Sequence, residues 1–240
     1  MKKIGLIGGT SWHSALEYYR LINQQTNDFF GNNTNPPLWM SNLNQQEIHH
    51  LQQEGLWNQI AEIILAHAQK LESVGVQALA LCANTPHKVV PLIQEKLLVP
   101  FLHIADAVRA DIHFHGWTKV GLLGTRFTMK EDFLKDRISQ KNKIEVIVPE
   151  EQTQLVLHRF IAEELSMGIF KASTQEYFLQ SIRDLRSQGA QAVILGCTEI
   201  PLLLKDIASP IPAMDTLKIH CDYIVRYILE DRIISLSHSA

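Results

Sequence analysis

The sequence of 240 residues contains only three cysteines, and their spacing is that of neither a disulfide framework nor a zinc site. It has no Cys-x-x-Cys pair and no His-rich spacing of the kind that metal and redox sites use. It also lacks any apolar run near the roughly 20 residues that a membrane-spanning helix needs. The apolar patch at residues 4–7 is shorter than the ~7–15-residue core of a signal peptide. These absences predict a cytoplasmic protein with no membrane partner and no bound metal.

The sequence has no excess of basic residues either. Lys and Arg number 22 against 25 Asp and Glu, which gives a net charge of −3, and no dense basic run offers phosphate neutralisation. We therefore expect no nucleic-acid partner. The glycines of "GLIGGT" match neither GxGxxG nor GxxxxGK[ST], so no cofactor is predicted there. An apolar content of 46% is that of an ordinary globular protein.

Strand patterns alternate with helix patterns along the chain. "KKIGLIGG" and "KVGLLGT" are short apolar runs closed by glycine, which is typical of buried parallel strands. Apolar residues at helical spacing predict a helix over residues 56–73, with Gly75 after its C-terminus. "STQEYFLQSIRDLRSQG" has the same pattern and ends at Gly189. The alternation predicts an α/β fold with mostly parallel sheets.

Three segments of the first half recur in order in the second half. The matched pairs are Gly5 with Gly121, Cys82 with Cys197 and Pro100 with Pro212, at offsets of 116, 115 and 112 residues. Such a repeat predicts two similar lobes related by a pseudo-twofold axis. We assign residues 1–100 plus 208–240 to the first lobe and residues 101–207 to the second. The alternative is one continuous doubly wound sheet in which the likeness is accidental.

Cys82 and Cys197 each end a predicted strand and precede a predicted helix. Ligands of open parallel sheets bind beyond the carboxyl ends of the strands. Thr85 with Pro86 is a good helix start, and Thr198 can cap a helix that begins near residue 199. A helix N-terminus favours a bound carboxylate and also a thiolate. The repeat therefore predicts an active site in the cleft between the lobes, with a cysteine on each side of a small anionic ligand.

Each of these residues also has a purely structural interpretation. A lone buried cysteine is an ordinary core residue, and Cys221 on a predicted terminal helix is interpreted in this way. The matched contexts of the other two cysteines favour a function. Threonines and asparagine at the predicted helix starts can be caps alone. His87 and His103 lie nearest the predicted cleft. Either of them can be interpreted as a base partner or as a hydrogen-bonded structural residue.

The whole chain resembles the cofactor-independent aspartate/glutamate racemases, with a broad-specificity amino-acid racemase branch the nearest likeness. The segments that carry the resemblance are "IGLIGGTSW", "LCANTPHKV", "PFLHIADA", "GLLGTRFTM", "EELSMG" and "LGCTEI". It implies a two-lobed α/β enzyme, commonly a homodimer, that inverts the α-carbon of an amino acid without pyridoxal phosphate or any other cofactor. It also implies that Cys82 and Cys197 are catalytic. The positions that match the substrate surroundings are Thr10, Gln52, Ala83, Asn84, Thr85 and Thr198.

The sequence departs from the aspartate-specialised relatives at two places. They resemble it at "EELSMG" but carry a lysine where Ser166 stands, and they have an Asp-Arg pair in the segment that here reads "NLNQQE". A site without these cations holds a side-chain carboxylate less firmly. A substrate range broader than aspartate, or different from it, is therefore favoured. Arg126 is the remaining cation close to a predicted strand end.

Racemisation requires removal of the α-proton from one face and delivery of a proton to the other. Two cysteines on opposite sides can share this work, one as thiolate base and the other as thiol acid. We expect a helix N-terminus to lower the pKa of one thiol. Three alternatives remain: a hydantoin racemase or maleate-isomerase-like enzyme, a non-catalytic amino-acid-binding protein, and a redox pair of cysteines.

Overall fold

The computed structural model describes residues 1–139 and 144–237, which fall into two compact units. The first unit comprises Met1–Ile104 and the described residues from His220 onward, and the second comprises Ala105–Ile219. The strands are β1 (Ile4–Gly8), β2 (Leu38–Asn42), β3 (Ala78–Leu81), β4 (Lys119–Gly124), β5 (Glu145–Ile147), β6 (Ala192–Gly196) and β7 (Ala213–Asp215).

Helices connect these strands. They are α1 (Trp12–Phe30), α2 (Gln45–Gln53), α3 (Trp57–Ser73), α4 (Val90–Ile93), α5 (Ile104–Phe114), α6 (Arg126–Lys130), α7 (Asp132–Ser139), α8 (Glu151–Glu163), α9 (Ala172–Ser187), α10 (Ile200–Leu203) and α11 (Thr216–Ser237). Short 3₁₀ segments span Thr85–Val89, Gln94–Lys96 and Leu165–Met167. No helix in the described parts of the chain combines the length and the apolarity needed to cross a bilayer.

The first unit is built on a parallel sheet with the strand order β2-β1-β3. Every residue of β1 and β3 is buried, which explains why both strands are continuous apolar runs rather than alternating ones. A parallel bridge between Leu79 and Phe101 extends this sheet by one short contact. The carboxyl ends of β1 and β3 lie side by side, with Ile7 paired to Leu81.

The second unit is built on a parallel sheet with the order β5-β4-β6-β7. Its central strands, β4 and β6, are again apolar and almost wholly buried, and Gly124 pairs with Gly196 at their carboxyl ends. The predicted lobe boundaries differ from these units, since residues 101–104 belong to the first unit and residues 208–219 to the second. Backbone pairing of Val193 with Ala213 joins β7 to β6 and keeps this strand in the second unit.

The two units repeat one packing arrangement around a glycine in the central strand. A side chain at Gly5 would lie 3.1 Å from Cβ of Leu71 on α3, and one at Gly121 would lie 2.8 Å from Cδ1 of Leu185 on α9. The absence of a side chain therefore lets the helix approach the strand closely in both units. The predicted two-part α/β fold with parallel sheets is confirmed. The alternative prediction of one continuous sheet is wrong for the described residues, because their strands form two separate sheets.

The predicted helix ends agree with the structure to within a residue. The helix predicted over residues 56–73 is α3, which begins at Trp57, and Gly75 beyond it has a φ of 80°. The helix of the second unit is α9, and Gly189 beyond it has a φ of 94°. Both glycines lie in the left-handed region, which residues with side chains seldom adopt.

Candidate active site

Cys82 follows the last residue of β3 and is held by its backbone on both sides. Its N–H donates to the carbonyl of Ile7 at 2.9 Å, and its carbonyl accepts from Oγ of Ser14 at 2.6 Å. The side chain is 1% exposed. The thiol is therefore fixed at the carboxyl edge of the first sheet, where ligands of parallel sheets bind.

Thr10 lies at the same edge, on the turn between β1 and α1. The preceding Gly9 has a φ of 88°, and a Cβ there would lie 2.2 Å from the carbonyl oxygen of Leu43. The turn is therefore specific to glycine. The Thr10 carbonyl accepts from Nε2 of His49 on α2 at 3.1 Å, and the half-buried Gln52 lies one turn further along that helix.

The turn that follows β3, called the Cys82 turn below, consists of Cys82, Ala83, Asn84 and Thr85. The predicted helix start differs from the structure in two respects: the N-cap is Asn84, one residue earlier than expected, and the segment from Thr85 to Val89 is 3₁₀ rather than α-helical. Pro91 supplies the physical reason, since it has no N–H to donate to the carbonyl four residues before it. A segment of five residues also provides a much weaker dipole than a full helix.

His87 and His103 are both buried in the first unit. Nδ1 of His87 is 2.7 Å from the Ala83 carbonyl, and the backbone N–H of Ile104 donates to Nε2 at 3.3 Å. The two rings lie 4.5 Å apart. Burial, together with the neighbouring histidines His103 and His220, holds the pKa of His87 well below its ordinary value. His87 is therefore a neutral, hydrogen-bonded residue beside the Cys82 turn.

Cys197 follows the last residue of β6 in the second unit and is half-buried. Its Sγ donates to Oε2 of Glu199 at 2.9 Å, and the hydroxyl of Thr198 donates to the same oxygen at 2.9 Å. The helix α10 begins at Ile200, with Glu199 at the N-cap. Thr198 therefore orients the carboxylate and does not cap a helix as predicted.

Both thiols have pKa values raised above the ordinary cysteine value. Burial alone raises that of Cys82. Burial is also the main cause at Cys197, followed by the charge of Glu199 and its hydrogen bond to the thiol, while backbone N–H groups of Thr198 and Glu199 act weakly in the opposite direction. The expectation that a helix N-terminus lowers one thiol pKa is therefore wrong, because each following helical segment is short and desolvation outweighs its effect.

The remaining predicted residues lie outside these two groups. Ser166 is exposed and donates to the carbonyl of Ala162 at 2.7 Å, so it forms part of its own helical turn. Arg126 is exposed at the start of α6, directly after the Thr125 cap that follows β4. Cys221 is buried on α11, as expected of a core residue.

The predicted site residues thus fall into two groups, one in each unit, and the two cysteines lie at the carboxyl edges of their own sheets. The first unit holds Thr10, Gln52, Cys82, Ala83, Asn84 and Thr85, and the second holds Cys197 and Thr198. Within the described residues, no three His, Cys, Asp or Glu side chains are grouped as a metal site requires.

Sequence reasoning missed two residues that contact the cysteines, Glu199 and Ser14. Glu199 stands directly after the Cys-Thr pair in "GCTEI", a position that was interpreted only as a helix start. A carboxylate two residues from a cysteine was the available signal for it. Ser14 lies 68 residues from Cys82 along the chain, and no local pattern links the two.

Comparison with known proteins gives matches over most of the chain. The model of the family described as Asp/Glu/Hydantoin racemase matches residues 7–224. The broad specificity amino-acid racemase RacX of Bacillus subtilis (strain 168) is 31% identical over 159 residues, which cover 66% of this chain and 68% of RacX.

Two solved structures of racemase relatives match this chain over nearly its whole length. A candidate Asp/Glu racemase from Yersinia pestis is 38% identical, with a TM-score of 0.90 over 95% of this chain and 100% of that one. PH1733, an aspartate racemase homologue from Pyrococcus horikoshii OT3, is 35% identical, with a TM-score of 0.82 over 95% of this chain and 99% of that one. Coverage of 95% means that the likeness extends through both units.

Proposed function

This chain belongs to the Asp/Glu/Hydantoin racemase family, and we propose that it racemises free amino acids with Cys82 and Cys197 as the two proton-transferring residues and without pyridoxal phosphate. The observation that carries the proposal is the equivalent position of the two cysteines. Each directly follows a buried strand, β3 or β6, that pairs in parallel with the first strand of its own unit. The proposal requires one thiol from each unit to reach the substrate α-carbon.

Inversion with two residues needs no movement of a base around the substrate. One cysteine, as thiolate, removes the α-proton from one face, and the other, as thiol, delivers a proton to the opposite face. In the reverse direction the roles are exchanged. Each thiol must therefore be able to hold a proton and to release it.

The Glu199 carboxylate supplies a way to make the Cys197 thiolate. The thiol already donates to Oε2, so transfer of its proton along this hydrogen bond gives the thiolate and a neutral carboxylic acid. The thiolate then takes the substrate α-proton, and Cys82 gives its own proton to the other face and becomes the thiolate. After product release, Cys82 regains a proton from solvent and Glu199 returns one, so that protons and charge balance.

Cys82 suits the role of the proton donor in this direction. Burial raises the pKa of its thiol, so the protonated form is stable in the unliganded protein. Its backbone is fixed by Ile7 and Ser14, which limits the directions in which Sγ points. A fixed donor favours the near-attack geometry that proton transfer needs.

The substrate carboxylate requires hydrogen-bond donors, because the α-proton of an amino acid is weakly acidic. We assign this role to residues beside the two cysteines. Hydrogen bonds that strengthen as negative charge develops lower the barrier, and they act more strongly where water is excluded. The proposed substrate-binding residues are Thr10, Gln52, Ala83, Asn84, Thr85 and Thr198.

We propose a broad range of substrates rather than aspartate alone. Ser166, where aspartate-specialised relatives carry a lysine, donates to a backbone carbonyl and brings no positive charge. The described broad specificity of RacX, which is 31% identical, supports the same conclusion. A site without that cation gives little preference to a second carboxylate on the substrate.

A chiral-chromatography screen of the twenty amino acids, each offered as the L- and the D-form, tests the proposal. We expect interconversion of several neutral or polar amino acids, with loss of activity in Cys82→Ser and in Cys197→Ser. Treatment with hydroxylamine, which traps pyridoxal phosphate, leaves the rate unchanged. Activity on aspartate alone would contradict the proposed substrate range.

The same screen separates the competing functions. Hydantoin derivatives are included, because the family name covers them, and racemisation of those compounds alone would replace the proposed substrate class. Thermal stabilisation by an amino acid without any change in its chirality would identify a binding protein. Assembly as a homodimer is a further part of the proposal that rests on the family resemblance, and sedimentation velocity tests it.

A further inference from the structure

His87 is attached at both ring nitrogens, and one of the two partners belongs to the turn that carries the candidate catalytic Cys82. Nδ1 lies 2.7 Å from the carbonyl of Ala83, the residue after Cys82. Nε2 lies 3.3 Å from the backbone nitrogen of Ile104. The ring is fully buried. The proposed mechanism gives this residue no role.

The two partners fix the protonation of the ring. A backbone N–H only donates, so Nε2 must be the unprotonated acceptor of the Ile104 bond. A carbonyl oxygen only accepts, so Nδ1 must carry the proton that it shares with Ala83. His87 is therefore the neutral Nδ1–H tautomer. A proton on Nε2 would place its N–H against the N–H of Ile104 in a buried position. This repulsion disfavours the imidazolium ion, in agreement with the lowered pKa of His87.

Two side chains together hold consecutive carbonyls of the Cys82 turn. Ser14 donates to the carbonyl of Cys82 and His87 to that of Ala83. Fixing two successive peptide planes leaves the backbone of this turn little freedom to rotate. The direction of the Cα–Cβ bond of Cys82 and of the amides that follow it is thereby restricted.

His87 is itself held in place by other buried aromatic residues of the first unit. Its ring lies 4.5 Å from that of His103 and 5.7 Å from that of His220. His220 donates from Nε2 to the Leu102 carbonyl at 2.8 Å, and its Nδ1 accepts from the hydroxyl of Tyr18 at 2.8 Å. Both ring nitrogens of His220 therefore bond to groups outside the Cys82 turn, whereas His87 bonds to the Ala83 carbonyl within it.

We propose that His87 is a positioning residue for the Cys82 proton transfer: through the Nδ1–H bond to the Ala83 carbonyl it aims the Cys82 thiol. The proposal rests on the proposed function, since it assumes that Cys82 transfers a proton. It adds a residue that touches no reacting atom. Its effect on the reaction is exerted through the backbone alone.

Two substitutions separate the two hydrogen bonds of His87. In His87→Asn the amide N–H₂ lies near the position of Nδ1 and keeps a donor for Ala83. In His87→Gln the amide oxygen lies near the position of Nε2 and keeps an acceptor for Ile104, while the donor to Ala83 is lost. We expect kcat to fall by about 10- to 100-fold in His87→Gln with KM within about threefold, and to stay within about threefold in His87→Asn.

His220→Asn is the matched control from the same cluster. It keeps an acceptor for the Tyr18 hydroxyl and loses the donor to the Leu102 carbonyl, so it too removes one buried hydrogen bond to a backbone carbonyl. We expect its melting temperature to fall as that of His87→Gln does, with kcat within about threefold of the wild type. An equal loss of kcat in His220→Asn, or unchanged kcat in folded His87→Gln, would overturn the proposal.

Alkylation of the cysteines tests positioning without any substrate. Iodoacetamide is applied to each variant, and peptide mass spectrometry gives the rate at Cys82 relative to that at Cys197. We expect this ratio to change at least threefold in His87→Gln and to stay within twofold in His220→Asn. A constant ratio contradicts the proposal even if the protein racemises nothing, so the failure of the proposed function and the failure of this inference are distinguishable.

A measurement on the wild type covers the case in which the His87 variants do not fold. Nitrogen-15 chemical shifts of His87 report which ring nitrogen carries the proton. We expect the neutral Nδ1–H form from pH 6 to pH 8. The Nε2–H form in this range would leave Nδ1 without a proton to donate to the Ala83 carbonyl and would overturn the inference.

Discussion

The hydrogen bond from the Cys197 thiol to Glu199 has two opposite consequences for reactivity. Burial raises the pKa of the thiol and the negative carboxylate raises it further, so both disfavour the thiolate. The same carboxylate is the acceptor that is needed when the thiol must lose its proton. Neutral cysteine is a poor base, so the proposed cycle depends on this acceptor.

Glu199→Gln separates these two consequences. Removal of the charge lowers the pKa of Cys197, and below the pKa each unit of decrease raises the thiolate fraction about tenfold. We expect alkylation of Cys197 at pH 8 to become several-fold faster. Racemisation slows by about 10²-fold, because the thiol proton has lost its acceptor. Alkylation as a function of pH and steady-state racemisation give the two readouts.

Glu163→Gln is the control for this substitution. Glu163 is an exposed carboxylate on α8 in the same unit, so its replacement changes the net charge equally. We expect both readouts to match the wild type. Slower alkylation of Cys197 in Glu199→Gln would show that the carboxylate does not disfavour the thiolate, which contradicts the account of this pair.

At the scale of single residues, the positions of the two cysteines could be predicted from the sequence, but the shifts of their thiol pKa values could not. An apolar run followed by a cysteine fixes the strand end, because buried parallel strands have that composition. The direction of the Glu199 side chain is not a property of any local pattern, yet after burial its carboxylate contributes to the raised pKa of Cys197. Ser14 contacts Cys82 only because α1 and β3 meet in the folded unit.

At the scale of helices and strands, the sequence predicted α3 and α9 closely. Their apolar stripes and the glycines beyond them are local signals, and both glycines have the expected left-handed backbone. The short segments after the cysteines were predicted less well. The segment after Cys82 is 3₁₀ as far as Val89, since Pro91 has no N–H for the His87 carbonyl, and α10 contains only four residues.

The helices α5 and α7 of the second unit are joined by a partly buried ion pair. Arg137 donates twice to the Asp106 carboxylate, at 3.0 and 2.7 Å, and Arg109 also contacts it at 3.1 Å. We expect Asp106→Asn to lower the free energy of unfolding by about 1–2 kcal/mol, since a two-fold arginine–carboxylate contact is stronger than an ordinary surface pair. Urea denaturation followed by circular dichroism measures the loss.

Asp132→Asn gives the comparison for that ion pair. Asp132 pairs with Lys135 at 3.0 Å, but its side chain is 71% exposed, against 19% for Asp106. Solvent screening reduces the worth of such a contact, so we expect a change below about 0.5 kcal/mol. Equal losses in the two variants would mean that the α5–α7 pair contributes no more than a surface contact.

At the scale of the whole molecule, the internal repeat was the most informative feature of the sequence. The recurrence of Gly5 as Gly121 reflects one strand–helix packing, used once in each unit. The repeat did not predict that residues 208–219 belong to the second unit. A strand as short as β7 has little pattern of its own, and only backbone pairing with β6 assigns it to a sheet.

The central claim is that two different thiols serve the two faces of the substrate α-carbon. It also predicts that Cys221→Ser stays active, because this third cysteine is buried in a helix core and has no part in the reaction. By contrast, loss of either Cys82 or Cys197 removes one of the two proton carriers.

The most direct test is racemisation of a single enantiomer in D₂O, with the α-hydrogen of substrate and product followed by mass spectrometry at low conversion. Thiol protons exchange with solvent, so the cysteine that donates to the second face carries deuterium while the α-proton stays on the other. The account predicts product that carries α-deuterium and remaining substrate that does not. Product that retains the original proton, or an active Cys82→Ala variant, would contradict it.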